Sequence, residues 1–239
     1  GWVACSGLGG GGLLAGSGGG WDRLGAVADS YRSPVLRAKI ATGLLFANVV
    51  VLLGWAWASY RLRGAWYVDD AAYATLAESF DRLRVLYLLA YIPTGIAFLF
   101  WFRRVYDNVE ALGGHNSGTP LWAVGSWFIP IVHWFKPYQI TKEIWTESAP
   151  SRDGSDGGFI QLWWGFWLIN LLGERFLVAG DLDTEAQFVR YFTGFIALNL
   201  VSLISAALAM LVIRRITARQ EAHAPATGAP KARLHKRQR

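Results

Sequence analysis

Cysteine is nearly missing from this chain: Cys5 is the only one in 239 residues. An internal disulfide framework and a Cys-based metal site are therefore excluded. The stretch WVACSG around it is a poor lipid-attachment signal. Trp2 stands three residues before it where Leu is usual, and neither a charged nor an apolar leader region precedes it. The chain begins at Gly1 rather than Met, and lipidation of Cys5 is not expected. Histidine is scarce too. Of His115, His133, His223 and His235, none falls in HExxH or a similar ligand spacing, and the last two are assigned to a C-terminal tail. GxSxG, P-loop and CxxC motifs are absent. Gly7, Gly9 and Gly12 match GxGxxG, but half of residues 1–20 are glycine and no strand precedes them, so composition explains the match. No catalytic residue, cofactor or metal is expected.

Charge is low, at 17% of residues, and it is absent from long blocks. Four apolar blocks are each about long enough to cross a ~30 Å hydrocarbon core at ~1.5 Å per residue: 40–59, 85–102, 159–178 and 191–213. Trp55, Trp57, Trp66, Trp101, Trp122, Trp163 and Trp164 lie where apolar and polar stretches meet, as interfacial aromatic belts do. With four spans, 17 Lys and Arg collect on one side and 6 on the other. The positive-inside rule then places both termini in the cytoplasm of a bacterial inner-membrane protein.

The stretch WAVGSWFIPIVHWFKPYQITKEIW, Trp122 to Trp145, fits no simple span. Its apolar part is short, and Pro130 removes a backbone donor from the middle. Counting it as a fifth span also weakens the charge asymmetry. A proline-broken re-entrant or interfacial segment over 120–147 is favoured over a short kinked span. Trp122, Trp127, Phe128, Trp134 and Trp145 would supply its apolar face, with Lys136 and Lys142 reaching phosphates. Asn108 and Gln139 would tie it to the inner end of the second span. His133 reads as a hydrogen-bonded interfacial side chain.

The fold class is thus an all-α integral membrane protein of about four transmembrane helices, with this segment between the second and third. Residues 1–36 read as a Gly-rich tail and lead-in, 37–215 as the membrane domain and 216–239 as a disordered basic tail. That tail favours anionic lipid, and no nucleic acid is expected. Tyr73, Leu76, Phe80 and Leu83 recur at helical spacing after a cap at Asp69 or Asp70, which predicts an amphipathic helix entering the second span. Pro93 and Gly95 predict a kink within it. Glu174 and Arg175 are the charged pair inside a span, read as an interfacial ion pair. Asn48, Asn170 and Asn199 read as bundle glue, with a polar transport path as the alternative.

From Trp101 to Trp167 the chain resembles a bacterial family of multi-pass membrane domains of unknown function. The likeness rests on Asn108, Pro120, Trp122, Gly125, Trp127, Phe128, Pro130, Pro137, Tyr138, Gln139, Trp145, Trp163 and Trp164. Thr119 replaces the usual Ser before Pro120, and His133 stands where Asn is expected. The resemblance implies a fold and a membrane location, not a reaction. The expected role is a non-catalytic accessory or interaction module, contacting lipid, a partner membrane protein or a second copy of itself. A small oligomeric transporter or channel is the alternative.

Overall fold

The structure, a computed structural model, describes residues 31–65, 70–151, 156–177 and 183–224. Cys5, the glycine fingerprint, Trp66, Asp69 and the chain after Ala224 lie outside the described residues. Helices α1 (Val35–Arg63), α2 (Asp70–Ala111), α3 (Pro120–Gly125), α4 (Lys136–Glu147), α5 (Gly158–Leu177) and α6 (Glu185–His223) account for most of them, and no strand occurs among them. Three helices, α1, α2 and α6, are long and apolar enough to cross a membrane.

In their most apolar windows only 17%, 17% and 22% of residues are buried against protein. Most of that apolar surface therefore faces outward, as it must when lipid is the solvent. Leu89, Ile92, Phe46 and Leu200 are examples, each more than half exposed. Burial concentrates instead at one end of the bundle. There Trp101, Phe102, Val105 and Val109 of α2 meet Ile140 and Ile144 of α4, Ile160 and Trp163 of α5, and Val212, Ile213 and Ile216 of α6.

The long helices absorb the flanking segments read from sequence. The amphipathic stretch from Asp70 is continuous with the second span in the 42-residue α2. It lies against the start of α6, with Phe80 and Phe192 centroids 5.9 Å apart. Pro93 sits inside α2, which continues through it. Asn48 on α1 donates across to the Ala90 carbonyl at 3.0 Å, and the Thr94 hydroxyl donates to the same oxygen at 2.7 Å. The Asn48 bond ties α1 to α2 within one turn of the proline. Helix α6 opens with a capping box between Thr184 and Gln187.

The tail boundary at 216 is corrected. Helix α6 runs on to His223 because Ile213, Ile216, Thr217, Gln220 and His223 continue one buried face at three-to-four spacing. Ala224, before Pro225, still holds helical dihedrals at φ −54° and ψ −42° and donates its N–H to the Gln220 carbonyl.

Candidate functional site

The 120–147 segment is built from three short pieces. Helix α3 starts with Pro120 in its first turn, and the Thr119 hydroxyl accepts from the Trp122 N–H at 3.1 Å. Thr serves this cap as Ser would. Gly125 closes α3, and Pro130 lies in the turns that follow. A single 3₁₀ turn spans Val132–Trp134, and α4 opens on Lys136 and Pro137. Pro fits that first turn, where its missing N–H has no partner to lose.

Ile131 joins these pieces at φ 69°, in the left-handed region. A β-branched residue there is strained by about 1–3 kcal/mol, and Ile131 points outward, 76% exposed. Ile131→Gly is therefore expected to raise thermal stability in detergent by a few degrees, read as the midpoint of unfolding by Trp fluorescence.

Aromatic packing fastens the segment to the bundle. Trp127 sits in a nest of rings, with centroids 5.3 Å from Phe98, 5.7 Å from Phe102, 5.9 Å from Trp164 and 5.9 Å from Trp167. Trp164 stacks on Trp167 at 4.6 Å, lies 6.4 Å from Tyr138, and donates its indole N–H to the Trp134 carbonyl at 3.2 Å. His133 stands edge-on to Trp167 at 6.1 Å.

The belt reading is corrected here. Trp101, Trp163 and Trp164 are buried in the protein, at 0%, 3% and 6% exposure, whereas Trp57 and Trp122 remain exposed. The apolar face of the segment is also different from the one expected. Trp127 and Trp145 turn inward, and the outward side chains are Leu121, Trp122, Phe128, Ile131 and Phe135.

Polar ties fix this end of the bundle. Gln220 on α6 is fully buried and donates to the Val105 carbonyl at 2.7 Å and the Ser148 hydroxyl at 2.9 Å. Its Oε1 accepts from Asn108 Nδ2 at 3.1 Å. Asn108 also clasps the backbone of Arg32, accepting from its N–H at 3.2 Å and donating to its carbonyl at 2.9 Å. His223 Nδ1 lies 3.1 Å from the Ser148 carbonyl, and Trp101 Nε1 donates to Thr217 at 3.0 Å. Asn108 therefore binds the lead-in and α6 rather than the 120–147 segment. Gln139 makes no such tie. It is exposed, with Lys136 Nζ 3.5 Å from its Oε1.

The loop before α3 is held instead by two carboxylates of α4. Glu143 accepts from the Ser117 N–H at 2.7 Å and its hydroxyl at 2.6 Å, and Glu147 accepts from the His115 N–H at 3.2 Å. Charge-assisted bonds of this kind are the strong ones. On the other side of α4, Trp145 carries the Arg219 guanidinium 3.9 Å above its ring, and Phe159 carries that of Arg215 at 4.9 Å.

Arg37, Arg103 and Arg104 gather around Asp107, whose nearest pair is Arg103 at 4.0 Å, and Arg32 lies near Arg104. Burial pushes the Asp107 carboxyl above its ordinary value, while the arginines pull it back. Burial holds the Arg104 guanidinium below its usual range, and the positive charge of Arg37 and Arg32 adds to that. A second carboxylate, Glu110, also lies close enough to Asp107 to push its carboxyl up.

The three amides read as bundle glue find protein partners. Asn48 donates to the Leu44 carbonyl at 3.1 Å and to Ala90 and Thr94. Asn170 donates to Ser202 and to the Leu198 carbonyl, and Asn199 donates to the Phe195 carbonyl at 3.0 Å. The ion pair expected of Glu174 and Arg175 is not formed among the described residues. Neighbours in a helix point in different directions.

An all-helical bundle with three outward-apolar helices and an aromatic-anchored break beside a basic end is a membrane protein. The family model described as a domain of unknown function, DUF4328, matches residues 66–218, and the chain belongs to that family. The match contains the whole of Trp101 to Trp167. No curated protein and no solved structure matches the chain.

Proposed function

We propose that this chain is a four-span module of the bacterial inner membrane with both termini cytoplasmic. In this reading it acts without catalysis, by holding lipid or a partner membrane protein against its 120–147 segment. Helix α5 is the fourth span: its 20 residues cover ~30 Å, and Leu162 and Ile169 project outward. The segment between α2 and α5 lies in the cytoplasmic interface rather than crossing it.

The observation that carries this is a fringe of apolar side chains on a firmly anchored frame. Leu121, Phe128, Ile131 and Phe135 are 75%, 71%, 76% and 62% exposed, while Trp127 and Trp145 tie the same segment inward. Such a fringe is too large and too well supported to be left in water. The arginines around Asp107 lie at the same end of α2 and suit anionic headgroups.

Bimane attached at Phe128→Cys on a Cys5→Ser background tests the placement. In nanodiscs, shallow spin-labelled lipid should quench it strongly, whereas a probe at Ser117→Cys should be quenched little. Equal quenching at both sites would remove the interfacial reading.

A further inference from the structure

A second polar site lies at the opposite end of the bundle from the 120–147 segment. Tyr87 stands 11 residues before Phe98 on α2, or ~16 Å along the helix. A cavity of ≈ 280 Å³ opens there between α1, α2, α5 and α6. Trp55, Tyr87, Tyr191 and Phe195 supply its aromatic wall, and Glu174 and Arg84 its charges. The rings support one another, with Trp55 centroids 5.1 Å from Tyr87 and 4.9 Å from Phe195.

Three groups here are only partly used by the protein. Glu174 forms no ion pair among the described residues, although it borders an apolar bundle. Arg84 pairs with Asp81 at 3.4 Å through one nitrogen, and a guanidinium carries five N–H donors. The Trp55 indole N–H is buried and donates to no protein acceptor. A buried donor without an acceptor is costly, so a group that supplies one is favoured there.

The three together define a ligand with two ends. Glu174 and the ring faces select an ammonium group, by charge and by the ring quadrupole. Arg84 and the Trp55 N–H select an anionic oxygen, and Arg suits a phosphate in particular. We propose that this cavity binds a phosphoethanolamine-type zwitterion, with its ammonium at Glu174 and its phosphate at Arg84 and Trp55. This site goes beyond the inner-end platform and is independent of it. The same headgroup chemistry is available from an aminophospholipid of the adjoining leaflet or from a free soluble phosphoethanolamine.

The full chain is purified, and two probes separate these sources. Native mass spectrometry compares retention of phosphatidylethanolamine with phosphatidylglycerol of the same acyl chains. Calorimetry titrates glycerophosphoethanolamine. Preferential retention of phosphatidylethanolamine without heat from the soluble probe assigns the site to the lipid, and saturable heat assigns it to the free zwitterion. In either case Glu174→Gln and Arg84→Gln should each weaken binding by about tenfold or more. Glu78→Gln, an exposed carboxylate already paired with Arg82 one turn away, should change nothing. Both variants are checked for unchanged gel-filtration profile and melting point. Absence of both signals in the wild-type chain overturns the proposal, and so does binding that folded Glu174→Gln retains in full.

Discussion

Gln220→Leu should lower the stability of the purified protein by about 3 kcal/mol, read from denaturant or thermal unfolding in detergent. Leucine is close to glutamine in volume, so the loss is one of pairing rather than packing. The change strips partners from three groups at once: the Val105 carbonyl, the Ser148 hydroxyl and one N–H of Asn108. Gln220 is fully buried, so water cannot replace what leucine removes. Gln220→Glu offers a second measure. It keeps the shape and the acceptor facing Asn108 but loses both donations and introduces a charge, and it should be at least as damaging. Arg214→Gln, on the exposed side of the same helix, should shift the midpoint little. A Gln220→Leu protein as stable as the parent would show that the network is incidental to the inner end.

Trp127→Ala is expected to cost about 3–5 kcal/mol, the range for deleting a large aromatic from a packed site. Its ring touches Phe98, Phe102, Trp163, Trp164 and Trp167, which come from both helices flanking the broken segment. The same substitution should loosen the segment specifically. Limited proteolysis should cut between 126 and 135 in Trp127→Ala and spare the parent. Trp127→Phe, which keeps a ring but not the indole N–H, should recover most of the loss, because that N–H is buried without a protein acceptor. Stability lost without any new cleavage would mean that Trp127 holds the bundle but does not anchor the segment.

The helical class and the apolar blocks could be read because they depend on composition over twenty residues. The break at Pro130 and Pro137 was visible for a similar reason, since proline acts through its own covalent geometry. Which tryptophans face lipid was not. Trp101 and Trp163 sit at the ends of apolar blocks, where an interfacial belt and a packed inner core give the same sequence pattern. Deciding between them needs the position of α4, which covers that end and turns them inward.

Gln220 was missed because TARQEAHAPATGAP reads as a polar tail. A usable signal was present in the three-to-four spacing of Ile213, Ile216, Gln220 and His223, which continues the α6 face beyond the last apolar block. Of the apolar fringe, Phe128 was read, but Leu121, Ile131 and Phe135 escaped, because turns and a left-handed residue obey no helical period. Glu174 drew attention as an intramembrane charge, but its cavity depends on side chains from four helices.

The inner-end network carries a consequence for how the chain matures in its membrane. Asn108 and Trp101 leave the ribosome long before their partners, since Gln220 follows Asn108 by 112 residues and Thr217 follows Trp101 by 116. Asn108 can hold the Arg32 backbone without α6, but until α6 arrives its other N–H, the Trp101 indole N–H and the Val105 carbonyl lack the partners that helix supplies. Completion of this network therefore follows the arrival of α6. A chain that lacks residues 217–223 leaves an amide N–H of Asn108 and the Trp101 indole N–H without these acceptors, both on one helix.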